Sequence, residues 1–275
     1  MPEQIDLIRE HYNAVPQKEW DRLQKNHPYE KYITTHMMDR YLKPGSAILD
    51  IGGGPGHYAI HCAKQGHHVS LLDLSEENVR FAKKKARQYK VQITAVQGNA
   101  LDLSLFPDES FDAVFLMGPL YHLLQEESRM QAIREAVRVL KGDGLLFSSF
   151  ILMFGGVIYG LRELQEAILW PNEQELFDIA ARGQSASFKA FTYAYMTTVR
   201  EAKALLAAFP ELKTETVFGQ ESILPPYRLA LSQCPKKIRL AWYDYALRFC
   251  EREEYLTHTE HLMIVSRKKN GGSKA

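Results

Sequence analysis

The stretch AILDIGGGPGHYAIHCAKQGHHVSLLDLS, residues 47–75, contains an apolar run, a glycine-rich loop, a helical run and a second apolar run that ends in an acid. The two apolar runs have the length of buried strands, and the segment between them has the length of one helix. A strand, a helix and a second strand in this order form a right-handed crossover between parallel strands. The stretch therefore predicts the first βαβ unit of a parallel sheet.

Apolar runs and helical runs continue to alternate along the chain. Further strands are predicted at ITAVQG, FDAVFLMG and LLFSSFI, and near the carboxyl terminus at LKTETVFGQ and EHLMIVSRK. Helices are predicted from about Tyr58, from Ser75, near 126–140 and at VREAKALLAAF. This alternation predicts a doubly wound α/β fold whose parallel sheet is covered by helices on both faces.

Segments outside this alternation divide the chain into a core and its additions. Residues 1–42 have apolar positions at helical spacing and predict an N-terminal helical cap. Residues 152–198 are rich in aromatic and long apolar side chains without strand periodicity, which predicts an inserted helical cap. We expect the α/β core at 43–151 and 199–269, a second helical insertion at about 235–254, and a disordered tail at 270–275.

The composition of the 275-residue chain is that of an ordinary globular protein. Its 34 Lys and Arg nearly balance its 33 Asp and Glu, so no whole-molecule field would attract nucleic acid or an anionic membrane. The cysteines Cys62, Cys234 and Cys250 are far apart and lack CxxC spacing, which argues against disulfides and zinc. The amino terminus has no signal-peptide pattern, and we expect a cytoplasmic protein.

The glycine loop and the acid that follows it indicate the class of ligand. Gly52, Gly54 and Gly56 lie between a strand and a helix, where missing side chains let backbone N–H groups approach a ligand. Asp73 ends the next strand about 20 residues later, where this type of fold holds a carboxylate against two ribose hydroxyls. The pattern predicts an adenosine-type cofactor. The alternative is that the same residues form only a tight strand-to-helix turn and a helix cap, with no ligand.

The spacing of the glycines separates two cofactor families. A dinucleotide site has G-x-G-x-x-G, whereas residues 50–56 read D-I-G-G-G-P-G. The leading acid, Asp50, suits a ligand with a cationic amino group better than one with a pyrophosphate. The segment resembles the first motif of the class I S-adenosylmethionine-dependent methyltransferases, which is an acid followed by G-x-G-x-G.

The resemblance extends over roughly residues 45–151. GNALDLSLFPDESFDAVFLMGPLYHLL, residues 98–124, resembles the adenine motif and the strand end beside the sulfonium, although Asn99 stands where many members have an aspartate. REAVRVLKGDGLLFSSF, residues 134–150, matches the next helix and strand. The family implies a seven-stranded, mainly parallel sheet with its last strand antiparallel. The implied donor-binding residues are Asp50, Gly52, Gly53, Gly54, Gly56, Asp73, Leu74, Asn99, Ala100, Met117 and Gly118.

The acceptor is expected to bind between the N-terminal helices and the inserted cap, above the carboxyl ends of the strands. The residues expected to contact it are Tyr12, Trp20, Tyr29, Tyr121, Tyr193 and Tyr195. His122, the only titratable ring in the GPLYHLL turn, is either a general base or an anchor for the loop. No metal is expected, since His57 and His61 share a helix face without the glutamate of HExxH.

The sequence thus predicts an enzyme that transfers the methyl group of S-adenosylmethionine to an O, N, S or C nucleophile of a small molecule, leaving S-adenosylhomocysteine. Such a protein would be a monomer or a homodimer, without a nucleic-acid or membrane partner. Three alternatives remain: an RNA or protein methyltransferase, an S-adenosylmethionine-binding protein without catalysis, and a nicotinamide oxidoreductase. The glycine spacing disfavours the last of these.

Overall fold

The computed structural model describes residues 2–189 and 192–270, and its centre is one mixed sheet. Five parallel strands lie in the order β3-β2-β1-β4-β5, so the winding reverses beside β1. The described strands are β1 (Ala47–Ile51), β2 (His68–Asp73), β3 (Thr94–Gln97), β4 (Phe111–Leu116), β5 (Leu140–Leu152), β6 (Ala186–Lys189), β7 (Tyr193–Thr197), β8 (Leu212–Gly219) and β9 (His261–Lys268).

The last strand is antiparallel, as predicted. β9 pairs with β5 from Leu145 opposite Arg267 to Ile151 opposite His261, and β8 pairs antiparallel with the other edge of β9. The inner strands are largely apolar and buried because helices cover both faces of the sheet. In β1, for example, every residue from Ile48 to Ile51 is buried. The predicted doubly wound α/β fold is confirmed.

Helices occupy the predicted positions between the strands and at the amino terminus. A π-helical turn, Arg22–Asn26, joins the second and third helices. The α-helices are α1 (Pro2–Ala14), α2 (Pro16–Asp21), α3 (Pro28–Tyr41), α4 (His57–Lys64), α5 (Glu76–Gln88), α6 (Pro119–His122), α7 (Glu126–Val139), α8 (Met153–Glu163), α9 (Pro171–Ala181), α10 (Val199–Ala207), α11 (Arg228–Gln233) and α12 (Lys236–Ala246).

The first insertion departs from the prediction of a purely helical cap. It contains α8 and α9, but the strands β6 and β7 then form an antiparallel hairpin. β7 pairs in parallel with the end of β5 at Ile151 and Leu152, so the described chain has nine strands where seven were predicted. The reason is tertiary: β5 continues past Ser148, where its pairing with β4 ends, and the free backbone groups on that edge accept β7.

The carboxyl-terminal tail and the membrane-spanning potential of the helices can be stated only for the described residues. Residues 271–275, most of the tail predicted to be disordered, lie outside the described residues. Among the helices that the structure does describe, none combines the length and apolar character needed to cross a membrane.

The N-terminal helices pack over the carboxyl edge of the sheet and are tied to the core by side chains. Asn13 at the end of α1 accepts a 2.6 Å hydrogen bond from the Ser75 hydroxyl, which itself caps α5 by accepting from the Asn78 N–H. Trp20 on α2 is buried and stacks on His57 of α4, with 3.9 Å between ring centroids. These contacts hold α1 and α2 against the first βαβ unit.

A buried ion pair joins the end of β8 to the start of β9. The carboxylate of Glu221 accepts from the His261 ring at 2.6 Å and from the His261 backbone N–H at 2.9 Å. Burial by itself would raise the pKa of Glu221, but the charge and hydrogen bonds of His261 lower it to about 2. Burial would likewise lower the pKa of His261, but Glu221 raises it to about 9. Each group therefore keeps the other charged.

We expect Glu221→Gln to lower the free energy of unfolding by about 3 to 5 kcal/mol near pH 6, because it leaves a buried imidazolium without its counter-charge. The contribution of Glu221 is full above its ordinary pKa of 4.5 and is lost as the pH falls towards 2. The contribution of His261 is full below its ordinary pKa of 6.5 and is lost as the pH rises through 9. Urea unfolding at a series of pH values should therefore show the largest difference in unfolding free energy between the variant and wild type at pH 4.5 to 6.5.

Glu254→Gln is the matched control, because Glu254 is exposed. It should leave the unfolding free energy within about 0.5 kcal/mol of wild type. A Glu221→Gln protein with wild-type stability at every pH would contradict the charge assignment.

Candidate functional site

A cavity of about 180 Å³ lies where β1, β2 and β4 end. This is the point at which the winding of the sheet reverses, because β1 pairs with β2 on one side and with β4 on the other. In open α/β sheets ligands bind in the crevice that this reversal creates. Residues of α1, α2 and the π-helical turn form the opposite wall of the cavity.

The glycine loop lines this cavity in a backbone conformation that favours glycine. Gly52, Gly54 and Gly56 have φ angles of 72°, 54° and 89°. A Cβ atom built on Gly53 would lie 2.7 Å from Oδ2 of Asp50, so the loop packs directly on that carboxylate. A Cβ built on Gly54 would meet no atom within 4 Å. Because Gly54 also lines the cavity, the space beside it is available to a ligand.

The Asp73 carboxylate joins the glycine loop to the start of α5. Its Oδ2 accepts from the Gly54 N–H at 2.7 Å, and its Oδ1 accepts from the Ser75 N–H at 2.8 Å and from the Asn78 amide at 3.2 Å. Burial raises the pKa of Asp73, and these three hydrogen bonds oppose the rise. The predicted ribose acid therefore lines the cavity and also fixes the shape of the loop.

Asp50 is a buried acid without a satisfied carboxylate. Its side chain is fully buried, and neither oxygen has a hydrogen-bond partner of normal geometry among the described residues. Burial and the charge of Asp73 raise the pKa of Asp50 to about 7, opposed only by the Ala59 backbone amide. An unsatisfied carboxylate on a cavity wall has the chemistry of a site for a cationic group.

Asn78 is a cavity residue that the sequence analysis did not select. Its Nδ2 donates to Asp73, which fixes the orientation of the amide, because a flipped amide would set its oxygen against the carboxylate. Oδ1 is then left buried without a described partner on the wall of the cavity. It is a second acceptor beside the predicted ribose acid.

Asn99 and its neighbours line the other end of the cavity. The Asn99 side-chain oxygen accepts from the Leu101 N–H at 3.0 Å and so holds its own turn. A carbonyl oxygen has two lone pairs, so this bond leaves one for a ligand. Leu74, Ala100 and Leu101 provide apolar walls around it.

His122 lies between the N-terminal helix and the inserted hairpin. Its Nδ1 is 3.1 Å from the backbone oxygen of Tyr193, and its Nε2 is 2.7 Å from the Tyr12 hydroxyl. A carbonyl oxygen can only accept, so Nδ1 carries the proton and Nε2 accepts from Tyr12. Burial lowers the pKa of His122 to about 4, which keeps the ring neutral.

Most of the predicted site residues share this cavity. Those that line it are Asp50, Gly52, Gly53, Gly54, Asp73, Leu74, Asn99, Ala100, Met117, Gly118, Tyr12, Tyr121 and His122. Gly56 does not line it, because it caps α4 and lies against α5: a Cβ built on it would be 3.0 Å from the Cβ of Ala82.

Four of the six predicted acceptor-side aromatic residues lie away from the cavity. Trp20 is covered by His57, and Tyr29 is buried in the core with its ring 6.1 Å from that of Tyr243. Tyr195 packs under the Arg129 guanidinium, 3.8 Å from the ring centroid. Tyr193 contributes its backbone oxygen to His122, while its side chain is 36% exposed. Among the described residues of the first insertion, the contact with His122 is made by a backbone carbonyl group and not by an aromatic ring.

Arg22 and Glu19 add charge to the cavity wall that no sequence motif indicated. The Arg22 guanidinium donates to both carboxylate oxygens of the buried Glu30, at 2.6 and 3.1 Å, and lies 3.5 Å from Glu19. Tyr58 also lines this end, and its buried hydroxyl has no described partner. These residues meet only because the π-helical turn brings α2 and α3 over the loop.

The histidines considered as metal ligands do not converge. His57 Nε2 donates to the Trp20 carbonyl oxygen, and His61 Nε2 pairs with Asp39. Among the residues that the structure describes, one group could offer three ligand atoms within 4.8 Å of one another, namely Glu30, Glu221 and His261. Arg22 and the Glu221–His261 ion pair already compensate those charges.

A family model described as "Methyltransferase domain" matches residues 48–144. A protein of Geobacillus sp. (strain WCH70), assigned to the methyltransferases only provisionally, is 32% identical over 57% of this chain and 63% of its own length. The 27-O-demethylrifamycin SV methyltransferase of Amycolatopsis mediterranei is 34% identical over 44% of this chain and 46% of its own length. The chain thus spans less than two thirds of these relatives.

Solved structures of low sequence identity share the fold. The Burkholderia thailandensis 1,6-didemethyltoxoflavin-N1-methyltransferase has a TM-score of 0.59 at 15% identity, covering 98% of this chain and 90% of that one. A S-adenosylmethionine-dependent methyltransferase from Methanosarcina mazei has a TM-score of 0.57 at 20% identity, covering 85% and 97%. Residues 48–144 thus match a methyltransferase domain, and the chain as a whole shares the fold of the S-adenosylmethionine-dependent methyltransferases.

Proposed function

We propose that the protein is a methyltransferase that binds S-adenosylmethionine in this cavity and transfers its methyl group to a nucleophilic O, N, S or C atom of a small molecule. The observation that carries the proposal is the Asp50 carboxylate, which is buried and unsatisfied on the wall of the glycine-loop cavity. A ligand with an ammonium group would satisfy it. S-adenosylmethionine has such a group, whereas a nicotinamide dinucleotide has a pyrophosphate in the corresponding region.

The other polar groups of the cavity fit the remaining parts of the same cofactor. Asp73 and the free oxygen of Asn78 are adjacent acceptors for the two ribose hydroxyls. Asn99 and the apolar side chains of Ala100 and Leu101 suit the adenine ring. All five of these residues line the cavity.

A small-molecule acceptor is supported by the cover over the cavity. α1 and α2 lie across it, and Tyr12 bonds to His122 from the far side. A folded RNA or protein would have to displace both helices, and the net charge of +1 provides no attraction for RNA. The relatives named for rifamycin and toxoflavin methylation are consistent with this choice. The cytoplasmic location remains a prediction from the sequence.

Catalysis would rest mainly on alignment of the acceptor. The sulfonium of the cofactor would supply an activated methyl group, because the neutral thioether S-adenosylhomocysteine is a good leaving group. This chain's own residues hold the acceptor in line and exclude water, and such alignment can contribute about 7 to 11 kcal/mol. Neutral His122 and the Tyr12 hydroxyl form a chain through which an acceptor proton can leave, because Tyr12 can donate to Nε2 while accepting from the acceptor.

Two measurements test the proposed function directly. Calorimetric titration with S-adenosylmethionine and with NAD should give binding of the first only. A screen of metabolite mixtures with methyl-labelled S-adenosylmethionine should then yield labelled small molecules. Binding without any labelled product would favour the non-catalytic alternative, and labelling of RNA or protein alone would favour a macromolecular substrate.

We expect Gly54→Ala to weaken binding of S-adenosylmethionine about tenfold or more, because the added methyl group would occupy the open space beside the loop. Gly45→Ala is the matched control. Gly45 has a φ angle of 73°, and a Cβ built on it also meets no atom within 4 Å, but it does not line this cavity. Both variants carry the same backbone strain, so equal affinities in calorimetry would exclude the loop as the cofactor site.

We expect His122→Asn and Tyr12→Phe each to lower kcat by roughly a hundredfold while leaving the affinity for S-adenosylmethionine little changed. The rate of the wild-type enzyme should fall as the pH falls through about 4, because protonation of His122 removes the acceptor atom for the Tyr12 proton. Tyr89→Phe, which alters an exposed tyrosine outside the cavity, is the control. Near-normal kcat with an unchanged pH profile would make His122 an anchor only.

The protonation state of His122 can be measured without an acceptor. We expect nitrogen NMR to report a neutral ring with its proton on Nδ1 throughout the neutral pH range, because the Tyr193 carbonyl accepts that proton. Burial should hold its pKa at about 4. An apparent pKa at or above the ordinary 6.5 would show that the ring is solvated and would contradict the geometry.

A further inference from the structure

Large exposed apolar side chains are concentrated in two segments of the surface. Thirteen of the eighteen such side chains in the described chain belong to residues 154–170 or 227–245. Single exposed apolar residues are normal on a protein surface, but a concentration of them marks a face that another molecule covers.

The first segment combines apolar side chains with negative charge. Leu161 and Leu169 are 70% and 74% exposed, and Ile168 and Trp170 lie beside them in sequence with about half of their surface exposed. Residues 153–181 contain five acidic side chains and one basic side chain, Arg162, which is buried. We call the exposed part of 153–181 the acidic surface.

The second segment combines apolar side chains with positive charge. Ile238, Trp242 and Tyr245 are spaced four and three residues apart on α12, so they form one exposed stripe, while Tyr243 and Ala246 are buried. Residues 227–252 contain six basic and two acidic side chains. We call the exposed part of 227–252 the basic surface.

The two surfaces adjoin within one chain. The Arg228 side chain at the start of α11 donates to Glu163 at the end of α8, with Nε 2.9 Å from Oε1. Arg162 donates to the Pro225 carbonyl oxygen at 2.8 Å. An acidic apolar surface therefore continues into a basic apolar surface across this contact.

We propose that the two surfaces together form the interface of a two-fold symmetric homodimer. A two-fold axis that lies in the interface and runs along the Glu163–Arg228 junction sets the acidic surface of each copy against the basic surface of the other. The same patch then serves both copies, which is the requirement for a closed, symmetric dimer. Opposite charges around an apolar centre favour this partner, whereas the acidic surface would be repelled by an anionic membrane.

The test uses the full chain and two charge-reversed sets in sedimentation equilibrium. The acidic set is Glu166→Lys with Glu175→Lys, and the basic set is Lys236→Glu with Lys237→Glu; all four side chains are exposed. Wild type should be a dimer at about 10 μM. Each set alone should raise the dissociation constant about tenfold or more, because the two changes cancel the net charge of the changed surface and remove its attraction for the surface that faces it.

Mixing the two variants provides the decisive measurement. In a mixed dimer the unchanged basic surface of one variant faces the unchanged acidic surface of the other, so the mixture should recover dimers, whereas one chain that carries all four changes should not. Lys83→Glu with Lys84→Glu, exposed residues of α5, is the charge control. Leu169→Asp should abolish dimers, whereas Leu105→Asp, which changes a side chain that is 66% exposed elsewhere, should not.

Four results would overturn the proposal. They are a wild-type protein that is monomeric at about 100 μM, a dimer that both charge-reversed sets leave unchanged, an association that grows beyond two copies, and a monomer that sediments with vesicles of phosphatidylcholine and phosphatidylglycerol. None of these measurements depends on methyl transfer, so the dimer can fail while the proposed activity stands, and the reverse.

Discussion

The Asp73 carboxylate is the contact on which the geometry of the cavity depends. It accepts hydrogen bonds from the loop that follows β1, through Gly54, and from the start of α5, through Ser75 and Asn78. Three donors offset the cost of burying a charge that would otherwise favour the protonated form. The carboxylate thus fixes the position of the glycine loop relative to the helix that begins beside it, and the cavity lies between the two.

The cover of the cavity depends on that arrangement in turn. Ser75, which caps α5, also donates to Asn13 of α1. Tyr12, the residue before Asn13, donates to His122. The carboxyl-terminal end of α1 is therefore attached both to the start of α5, through Ser75, and to α6, through His122. Any entry of a ligand that bends α1 away must break both contacts, which links access to the cavity with the state of His122.

Two acids in the same cavity illustrate how environment decides chemistry. Asp73 has its oxygens satisfied by the fold, so it can act as a structural charge and still offer a lone pair to a hydroxyl. Asp50 lies on the neighbouring strand β1, and its oxygens accept no hydrogen bond of normal geometry from the described residues. Burial raises the pKa of Asp50 to about 7. A cationic ligand group near Asp50 would lower that pKa again, and the carboxylate is therefore suited to a positive partner and not to a second anion.

The sequence by itself determined the five parallel strands, the antiparallel last strand and the side of the cavity that the glycine loop forms. The strand at 47–51, the loop glycines and Asp73 are adjacent in sequence or separated by one crossover, so local periodicity and loop chemistry were sufficient to predict them. Tertiary structure decided the side of the cavity opposite the glycine loop. Arg22 reaches the cavity through a π-helical turn, and the Tyr193 carbonyl reaches His122 through an added hairpin, neither of which a one-dimensional pattern specifies. Aromatic residues such as Tyr29 and Tyr195 went to the core or under Arg129 because the burial of large rings is decided by whichever elements pack nearest in space, not by their order along the chain.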